Sequence, residues 1–566
     1  MAHVLFFAAA IAACLFWTAA CVAAAARTER RWLRRLLAAV GMFLPLILLL
    51  PWVGLTGALA ASGTMPTNNW FAPTLTAFLS ALIGGWWICR AGLARAGSTD
   101  AGSAAGLVAA AWPLFGLAAM YLIAEAVTYG TLVSIDHESL ARSRALRAEA
   151  AQLMQASLPP APAADDDAAP LYERALAAIE ADKELADEKS PFWQRPSGKQ
   201  VRYWNPLAAD VNAADVQATL TRHAPTLKLV RRAADKPGCR LLRDWSRPSF
   251  SMQLPEIAPI RQAVGLLTLA ARRAAADGDV AAALRDVVRI HRIGMHVAGE
   301  PVLITGMMGT AIDTNAIETL AAVLPAIGGT DLPLLDEPTV VDFLGTIPSY
   351  RRHFYGEEAF GIAALADSAD GSLWGSASGG FIDTDNSLML EASSLRIFFR
   401  WFFLPAYVTG YREVLHRYQA VASLPTDSFP EISRQLTAIE SDIERRQVGL
   451  LGPYGGLMLP ALGQMFRVPA QNRALHRAAE VLVAATRFRI ATGGLPESAA
   501  ALVPAHLPAV PRDPFTVDAP LRSRRTDDGR LVVYSVGLDG EDDGGPPPRG
   551  SDRPEGNDDV GLAIAP

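Results

Sequence analysis

The histidines are the first side chains to consider for chemistry, because imidazole serves both proton transfer and metal binding near neutral pH. His291 and His296 are five residues apart on one predicted helix, so they do not share a face. Neither belongs to an HExxH motif, and Glu300 lies at the wrong spacing to complete one. The chain has four cysteines, and no Cys/His spacing indicates zinc. Spacing along the chain therefore predicts no metal centre at these histidines.

Other short motifs lack residues that their chemistry needs. The segment 383–386 (DTDN) imitates the start of an EF-hand loop, but the later Gly and Glu are missing. The chain has no GxSxG, no GxGxxG after a strand and no phosphate-binding P-loop motif. The sequence thus predicts no catalytic residues. One alternative is a hydrolase site assembled from distant residues, for which we expect a pocket lined by His291, Arg240 or Asp244.

The amino-acid composition indicates which class of protein carries these side chains. The chain has 566 residues, of which 51% are apolar and 19% charged, and its mean hydropathy is +0.20. Soluble globular chains carry about 25% charged residues, so these values indicate lipid-embedded segments and exclude a disordered chain. The net charge of -6 gives no support for nucleic acid as a partner.

Four apolar runs before residue 135 account for the excess of apolar residues. Each approaches the ~20 residues that an α-helix needs to cross a bilayer. The runs are Val4 to Ala26, Leu36 to Ala61, Trp70 to Cys89 and Ser103 to Ala124. We therefore predict a membrane domain over 1–134 with four transmembrane helices and the lipid bilayer as a partner.

Arginines between the apolar runs predict the orientation of this domain, because short loops rich in Lys and Arg stay in the cytoplasm. The arginines of the first and third loops are Arg27, Arg30, Arg31, Arg34, Arg35, Arg90 and Arg95. The second loop, 62–69, has no basic residue. We therefore predict a multi-pass protein of the bacterial inner membrane, with its N-terminus and large C-terminal domain outside the cytoplasm and a protein partner in the envelope.

The larger part of the chain shows apolar residues at helical spacing. The predicted helices cover 139–157, 168–184, 211–234, 255–276, 280–297 and 302–324. Their lengths and short connections are typical of layers of helical hairpins. We predict a helical body over 135–370 and a Gly/Ser-rich flexible loop over 371–394.

Two later segments allow more than one interpretation. The stretch 395–412 is the most aromatic of the chain, and it indicates either an interfacial segment on a membrane or a core helix that packs large rings. We prefer core packing. The stretch 448–466 is interrupted by Gly and Pro, and we predict a loop followed by a short helix. Together these residues form a predicted aromatic helical segment over 395–468.

The last hundred residues combine a helix with a β-hairpin. An amphipathic helix from Ala470 to Ala491 ends at a Gly-Gly pair, which is typical of a helix C-cap. A β-prone segment near Leu521, an Asp-Asp-Gly turn and a strand from Leu531 indicate the hairpin. The fold class is therefore predicted as mainly α, with the four transmembrane helices, a helical extracytoplasmic body and a small α+β module over 469–566.

The order of motifs in this module, "LPES", "DPF", "YSVGLDG" and "NDDVG", resembles the globular domain of the major pseudopilin of type II secretion systems. That domain binds one calcium ion in an acidic loop. The resemblance implies Asp539, Asp558 and Asp559 as ligands, with Asp542 and Asp543 as substitutes. Carboxylates of a flexible loop suit Ca²⁺, which takes about six to eight oxygen ligands.

The resemblance does not extend to pseudopilus assembly. The linker from Glu541 to Glu555 is longer than the family's loop, and the cleavable pilin helix is absent. A broader resemblance, carried by "AAPLYERAL", "DGDVAAALRDVVRIHRIGMHVAGEPVLITGMMGTAI" and the DPF-hairpin segment, is to bacterial envelope proteins of planctomycete type. That second resemblance implies domain order and no activity.

These observations lead to one main functional hypothesis. We expect a non-enzymatic, membrane-anchored extracytoplasmic scaffold or interaction protein, linked to secretion or pilus-like envelope assembly, because catalytic motifs are missing and helical layers bind other chains along a groove. The alternatives are the envelope hydrolase, with its site between helical layers, and an accessory subunit of a membrane complex.

Overall fold

The computed structural model describes residues 137–182, 213–349, 351–370, 404–424, 428–447, 452–546 and 557–566, apart from a few single positions, and scattered positions between 17 and 40. The chain divides into two units. The first comprises 1–146 with 365–406, and the second comprises 147–364 with 407–566. Most of the described residues belong to the second unit, which holds the features discussed below.

The described residues are mainly α-helical, which confirms the predicted fold class at that level. The first helices are α1 (140–157), α2 (Ala169–Glu180), α3 (Ala213–Arg222), α4 (Ala224–Ala234), α5 (Ile257–Ala276), α6 (Val280–Ala298) and α7 (Leu303–Val323). The later helices are α8 (Pro338–Gly345), α9 (Arg351–Asp370), α10 (Leu404–Ala422), α11 (Phe429–Gln447) and α12 (Gly452–Thr492). The helices predicted over 168–324 are all present, with ends that differ by a few residues.

Among the residues that the structure describes, no helix has the length and apolar character needed to cross a membrane. This finding contradicts the multi-pass membrane architecture and the inner-membrane localisation predicted from the apolar runs. The long helices that the structure describes contain charged residues, which are costly inside a bilayer. Helices α5 and α6 each carry three arginines, and α7 buries the carboxylate Asp313. Almost all of the four apolar runs lies outside the described residues.

The orientation of the chain was predicted from seven loop arginines, and it depended on those membrane spans. Arg27 and Arg30 are described, whereas Arg31, Arg34, Arg35, Arg90 and Arg95 lie outside the described residues. The multi-pass architecture on which this orientation depends is contradicted among the described residues.

Acidic residues start two of the helices in the second unit. Asp167 accepts a hydrogen bond from the N–H of Ala169 at 3.0 Å, at the start of α2. Asp279 caps α6 by accepting from the N–H of Ala282 at 2.9 Å. Gly278 precedes that cap with a φ of +84°, a backbone conformation that glycine adopts readily. The tight turn lets α6 fold back on α5.

The hydrophobic core of the second unit lies where α5, α6, α7 and α12 meet. Leu266, Ile290, Ile317 and Leu482 are fully buried there. Each side chain of this kind gains about 1.5–3 kcal/mol from removal of its apolar surface from water, so this contact is the main source of stability for the unit. The sheet described below adds Val533 to the same core.

Two glycines let the backbones of α6 and α7 approach each other closely. A Cβ atom built on Gly309 would lie 2.5 Å from the carbonyl oxygen of Gly294 and 2.6 Å from the Cβ of Ala298. A Cβ on Gly294 would lie 2.7 Å from the carbonyl oxygen of Gly309. The helix contact is therefore made between backbones, and a side chain has no room in it.

We expect Gly309→Ala to lower the free energy of unfolding by about 1–3 kcal/mol, because the added methyl group overpacks the α6–α7 contact. An exposed Gly→Ala change in a helix normally stabilises it by up to about 1 kcal/mol, so the sign of the effect is informative. The control is Gly345→Ala, whose Cβ would meet nothing within 4 Å. Urea unfolding of both variants tests the contact, and equal stability of the two would contradict it.

The described C-terminal strands form one antiparallel sheet in the order β1 (Arg522–Arg525), β2 (Leu531–Ser535) and β3 (Val560–Ile564). The hairpin between β1 and β2 confirms the predicted turn, which contains Gly529 with a φ of +80°. The strand β3 was not predicted from its sequence, and it pairs with the fully buried β2. The sheet packs against α12 and α7.

The aromatic segment proves to be a core helix where it is described. Tyr411 and Tyr418 of α10 are buried, and Tyr418 stacks on Phe354 and Phe466. The loop followed by a short helix that is predicted over 448–466 is wrong for the described residues, because α12 begins at Gly452 and runs without interruption to Thr492. The flexible loop predicted over 371–394 lies outside the described residues.

Candidate functional site

A pocket of about 260 Å³ lies in the second unit between residues 155–167 and the loop 240–246. Its polar lining residues are Gln155, Asp167, Arg240, Arg243, Asp244 and Ser246, and Trp245 contributes an aromatic wall. The sequence suggested a pocket lined by His291, Arg240 or Asp244 for a hydrolase. The structure brings Arg240 and Asp244 together in this pocket, whereas His291 does not line it.

One end of the pocket loop is held by Asp167. Its Oδ1 atom accepts hydrogen bonds from the N–H of Ala169 at 3.0 Å and from the N–H of Arg240 at 3.1 Å. The backbones of Ala168 and Gly238 are also joined by a hydrogen bond of 2.9 Å. The start of α2 therefore fixes the backbone from which the Arg240 side chain projects.

Arg243 holds the same loop three residues later. Its guanidinium donates to both carboxylate oxygens of Glu300, at 3.2 and 3.0 Å, and forms a second ion pair with Glu256. The same guanidinium lies over the ring of Trp245, 5.5 Å from the centroid, and this ring is only 3% exposed. A bidentate ion pair combined with a cation–π contact gives Arg243 a fixed position in the pocket wall.

Buried titratable groups lie behind this wall at the end of α6. Burial raises the pKa of Glu300 to about 7, although the charge of Arg243 acts in the opposite direction. Burial lowers the pKa of His296 to about 4, although its hydrogen bond to a backbone carbonyl favours the charged ring. Burial also raises the pKa of the Cys239 thiol far above its usual range, so this cysteine is a poor nucleophile.

His296 belongs to a short chain of hydrogen bonds. Its Nε2 lies 3.0 Å from the carbonyl oxygen of Lys236, and its Nδ1 lies 3.0 Å from the hydroxyl of Tyr172. Because a carbonyl only accepts, Nε2 carries the proton of the neutral ring and Nδ1 accepts from the tyrosine. Both ring nitrogens are satisfied in the neutral state, which leaves no role as a base for this histidine.

A second polar cluster joins three helices in the core. The carboxylate of Asp313 on α7 is fully buried. Its Oδ1 lies 2.6 Å from Nδ1 of His291 on α6, and its Oδ2 lies 2.7 Å from Nε2 of His476 on α12. The other nitrogen of His476 lies 3.0 Å from the carbonyl oxygen of Leu344. The ring of Phe343 packs against both histidines.

This His291–Asp313–His476 cluster looks like a proton relay, but its surroundings indicate a structural role. All three side chains are at most 5% exposed, and none of them lines the pocket. Although burial alone would raise it, the two histidines hold the pKa of the Asp313 carboxyl below its usual value. Asp313 and His476 are functional candidates that the sequence motifs do not predict. The available signal was a carboxylate within the otherwise apolar helix α7.

The acids that the resemblance implies as calcium ligands lie in the stretches 539–543 and 557–559. Asp542 accepts a hydrogen bond from the hydroxyl of Tyr534 at 3.0 Å, and its other oxygen lies 2.6 Å from the guanidinium of Arg522. That guanidinium supplies Asp542 with a positive charge from within the chain.

The remaining acids bind backbone N–H groups. Asp559 is fully buried, and its Oδ2 accepts from the N–H of Gly545 at 2.6 Å. Asp543 accepts from the N–H of Asp558 at 3.2 Å, whereas Asp539 forms a local turn with the N–H two residues later. Over the described part of the chain, no group of three or more His, Cys, Asp or Glu side chains is placed to hold a metal ion. The calcium ion therefore stays a prediction.

The motifs that carry the pseudopilin resemblance are joined by a different acid. Asp513 of the "DPF" motif is buried and accepts from the hydroxyl of Ser535 at 2.6 Å, from the N–H of Phe515 at 2.8 Å and from the N–H of Val536 at 3.0 Å. A carboxylate that accepts several such bonds holds the turn to the end of β2. Asp513 therefore joins the "DPF" motif to the "YSVGLDG" motif, and this contact stabilises the fold of the module.

Comparisons with models of protein families, with curated proteins and with solved structures found no match. The resemblances to the major pseudopilin and to planctomycete-type envelope proteins therefore stay predictions.

Proposed function

We propose that this chain is a non-enzymatic binding protein whose pocket over loop 240–246 receives a polar group of a ligand or partner. The observation that carries the proposal is that this loop is fixed at two points, at Arg240 by Asp167 and at Arg243 by the ion pair with Glu300. A loop whose backbone is fixed before the ligand arrives lowers the entropic cost of binding, which is the property of a recognition site.

The chemistry around the pocket favours binding over covalent catalysis. Ser246 donates its hydroxyl to Asp244, so no histidine activates it in the described structure. The neighbouring Cys239 has a raised pKa and stays a thiol at neutral pH. Arg243 is fully occupied by two carboxylates. A pocket without an activated nucleophile fits recognition.

The test is a ligand screen by thermal and urea unfolding of the full chain, with small zwitterions, anions, cations and neutral polar molecules. A ligand at 100 times its Kd raises the free energy of unfolding by about 2.7 kcal/mol. We expect Ser246→Trp, which fills the pocket, to abolish the shift. Thr437→Trp on an exposed face of α11 is the control. Shifts that persist unchanged in Ser246→Trp would place binding elsewhere and overturn the proposal.

A second candidate function, a hydrolase, is favoured by one observation. The carboxyl of Glu300 has a pKa of about 7 and binds a residue of the pocket wall. A carboxylate with such a pKa suits a general base at neutral pH. If the chain hydrolyses esters or amides in the same screen, we expect Glu300→Gln to reduce kcat by at least ~100-fold. Turnover that Glu300→Gln leaves unchanged would exclude Glu300 as the base.

A further inference from the structure

The charges of the pocket lining select between classes of ligand, provided that the pocket is the binding site proposed above. From the pattern of paired and unpaired groups, we infer that the pocket takes a dipolar ligand. Its carboxylate binds the guanidinium of Arg240, and its cationic amino group binds Asp167 and Asp244. Such a group is found in a free amino acid, and equally in neighbouring acidic and basic side chains of a peptide.

Arg240 supplies the anion-binding half of this site. Its backbone N–H is bound by Asp167, and within the described residues its guanidinium has neither a hydrogen bond nor an ion pair. The other lining arginine, Arg243, is already neutralised by Glu256 and Glu300. A guanidinium presents two parallel donors that match a carboxylate, so Arg240 is the group that a carboxylate would reach.

Asp167 and Asp244 supply the cation-binding half. Within the part of the chain that the structure describes, each uses only its Oδ1 atom for hydrogen bonds: Asp167 to two backbone N–H groups, and Asp244 to the N–H and hydroxyl of Ser246. The second oxygen of each carboxylate is left for a ligand. An ammonium group has three donors, so it can bind more than one carboxylate oxygen.

The balance of charge argues against a ligand of one sign. The lining holds two arginines and two aspartates, with Glu256 and Glu300 behind Arg243. A phosphate or another multivalent anion would meet this excess of carboxylates. A simple cation would leave Arg240 unpaired after its desolvation, at a cost that rises as water is excluded. A ligand with both charges satisfies both halves.

The size of the pocket limits the ligand further. Its volume of about 260 Å³ is below the range of roughly 300–1,000 Å³ that is typical of sites for drug-sized molecules. The occupant is therefore a small molecule or one or two side chains of a partner.

The test measures binding to the full chain by isothermal titration calorimetry. The probes are glycine, 3-aminopropanoate, 4-aminobutanoate and 6-aminohexanoate, each with its N-acetyl and amide derivatives, and an end-blocked Lys-Gly-Glu peptide. We expect at least one zwitterion to bind ~10-fold more tightly than both of its singly charged derivatives, which corresponds to one charge-assisted hydrogen bond. Preference for the peptide over the amino acids would identify a protein partner as the source.

Two variants test the anion-binding half and the cation-binding half of the pocket separately. Arg240→Gln should remove the preference over the amide, and Asp244→Asn should remove the preference over the N-acetyl derivative. Arg232→Gln, which removes the same charge at an exposed position of α4, should change neither. A singly charged or neutral best ligand that Ser246→Trp still excludes would overturn this inference and leave the proposed function standing. Absence of any ligand that depends on the pocket would overturn both.

Discussion

Asp313→Ala is expected to lower the free energy of unfolding by about 3–5 kcal/mol, because it leaves two buried histidines without their shared acceptor. The carboxylate is fully buried and joins His291 to His476 across three helices. The control is Asp342→Ala, at an exposed position of α8, which should change stability by less than about 0.5 kcal/mol. Urea unfolding at pH 7 provides the comparison.

The cluster can be tested as a unit by a double-mutant cycle. His291→Ala and His476→Ala both remove a partner of the same carboxylate, so their effects should not add, and the coupling should be about 0.5–3 kcal/mol. A triple leucine replacement of the cluster should recover much of the lost stability if its role is structural, because apolar residues often replace buried ion pairs without loss. Additive effects of the two histidine variants would contradict a shared network.

The helices of the second unit could be predicted because their signals are local. Apolar spacing within 255–276, 280–297 and 302–324 indicates three helices with short connections. The structure places α5, α6 and α7 there, with Asp279 as a cap. Periodicity and capping depend on residues a few positions apart, so one sequence is sufficient to read them.

The polar clusters could not be predicted, because they join residues that are far apart in the chain. Asp313 and His476 are 163 residues apart. Arg243 and Glu300 are 57 residues apart. Such pairs form only when the helices pack together. The spacing of residues along the chain therefore does not predict them. The sequence analysis assigned the apolar runs to a membrane by the same kind of local signal, and that assignment is contradicted among the described residues.

Glu300 and His296, four residues apart near the end of α6, are expected to make stability depend on pH in opposite directions. Burial raises the pKa of Glu300 from 4.5 to about 7. Between these values the folded state holds a proton that the unfolded state has released, so its stability falls as pH rises. Burial lowers the pKa of His296 from 6.5 to about 4. The unfolded state then binds the additional proton, so stability rises with pH over that range.

The two effects overlap between about pH 4.5 and 6.5, where each amounts to about 1.4 kcal/mol per pH unit and they largely cancel. Variants are therefore needed to separate the contribution of Glu300 from that of His296. His296→Gln leaves Glu300 alone, and the free energy of unfolding should fall by about 3 kcal/mol as pH rises from 4.5 to 6.5. Glu300→Gln leaves His296 alone, and it should rise by a similar amount over the same range.

Urea unfolding at half-unit steps of pH measures these slopes, and comparison of each variant with the parent chain removes the contribution of all other groups. The double variant should follow the parent chain, because both opposing effects are then absent. Glu497→Gln, at an exposed position, is the control for loss of a carboxylate. If His296→Gln and Glu300→Gln gave slopes of the same sign, the two groups would not be buried as the structure shows. Slopes of opposite sign would establish that the wall behind the pocket is dry, which is the condition for a fixed Arg243.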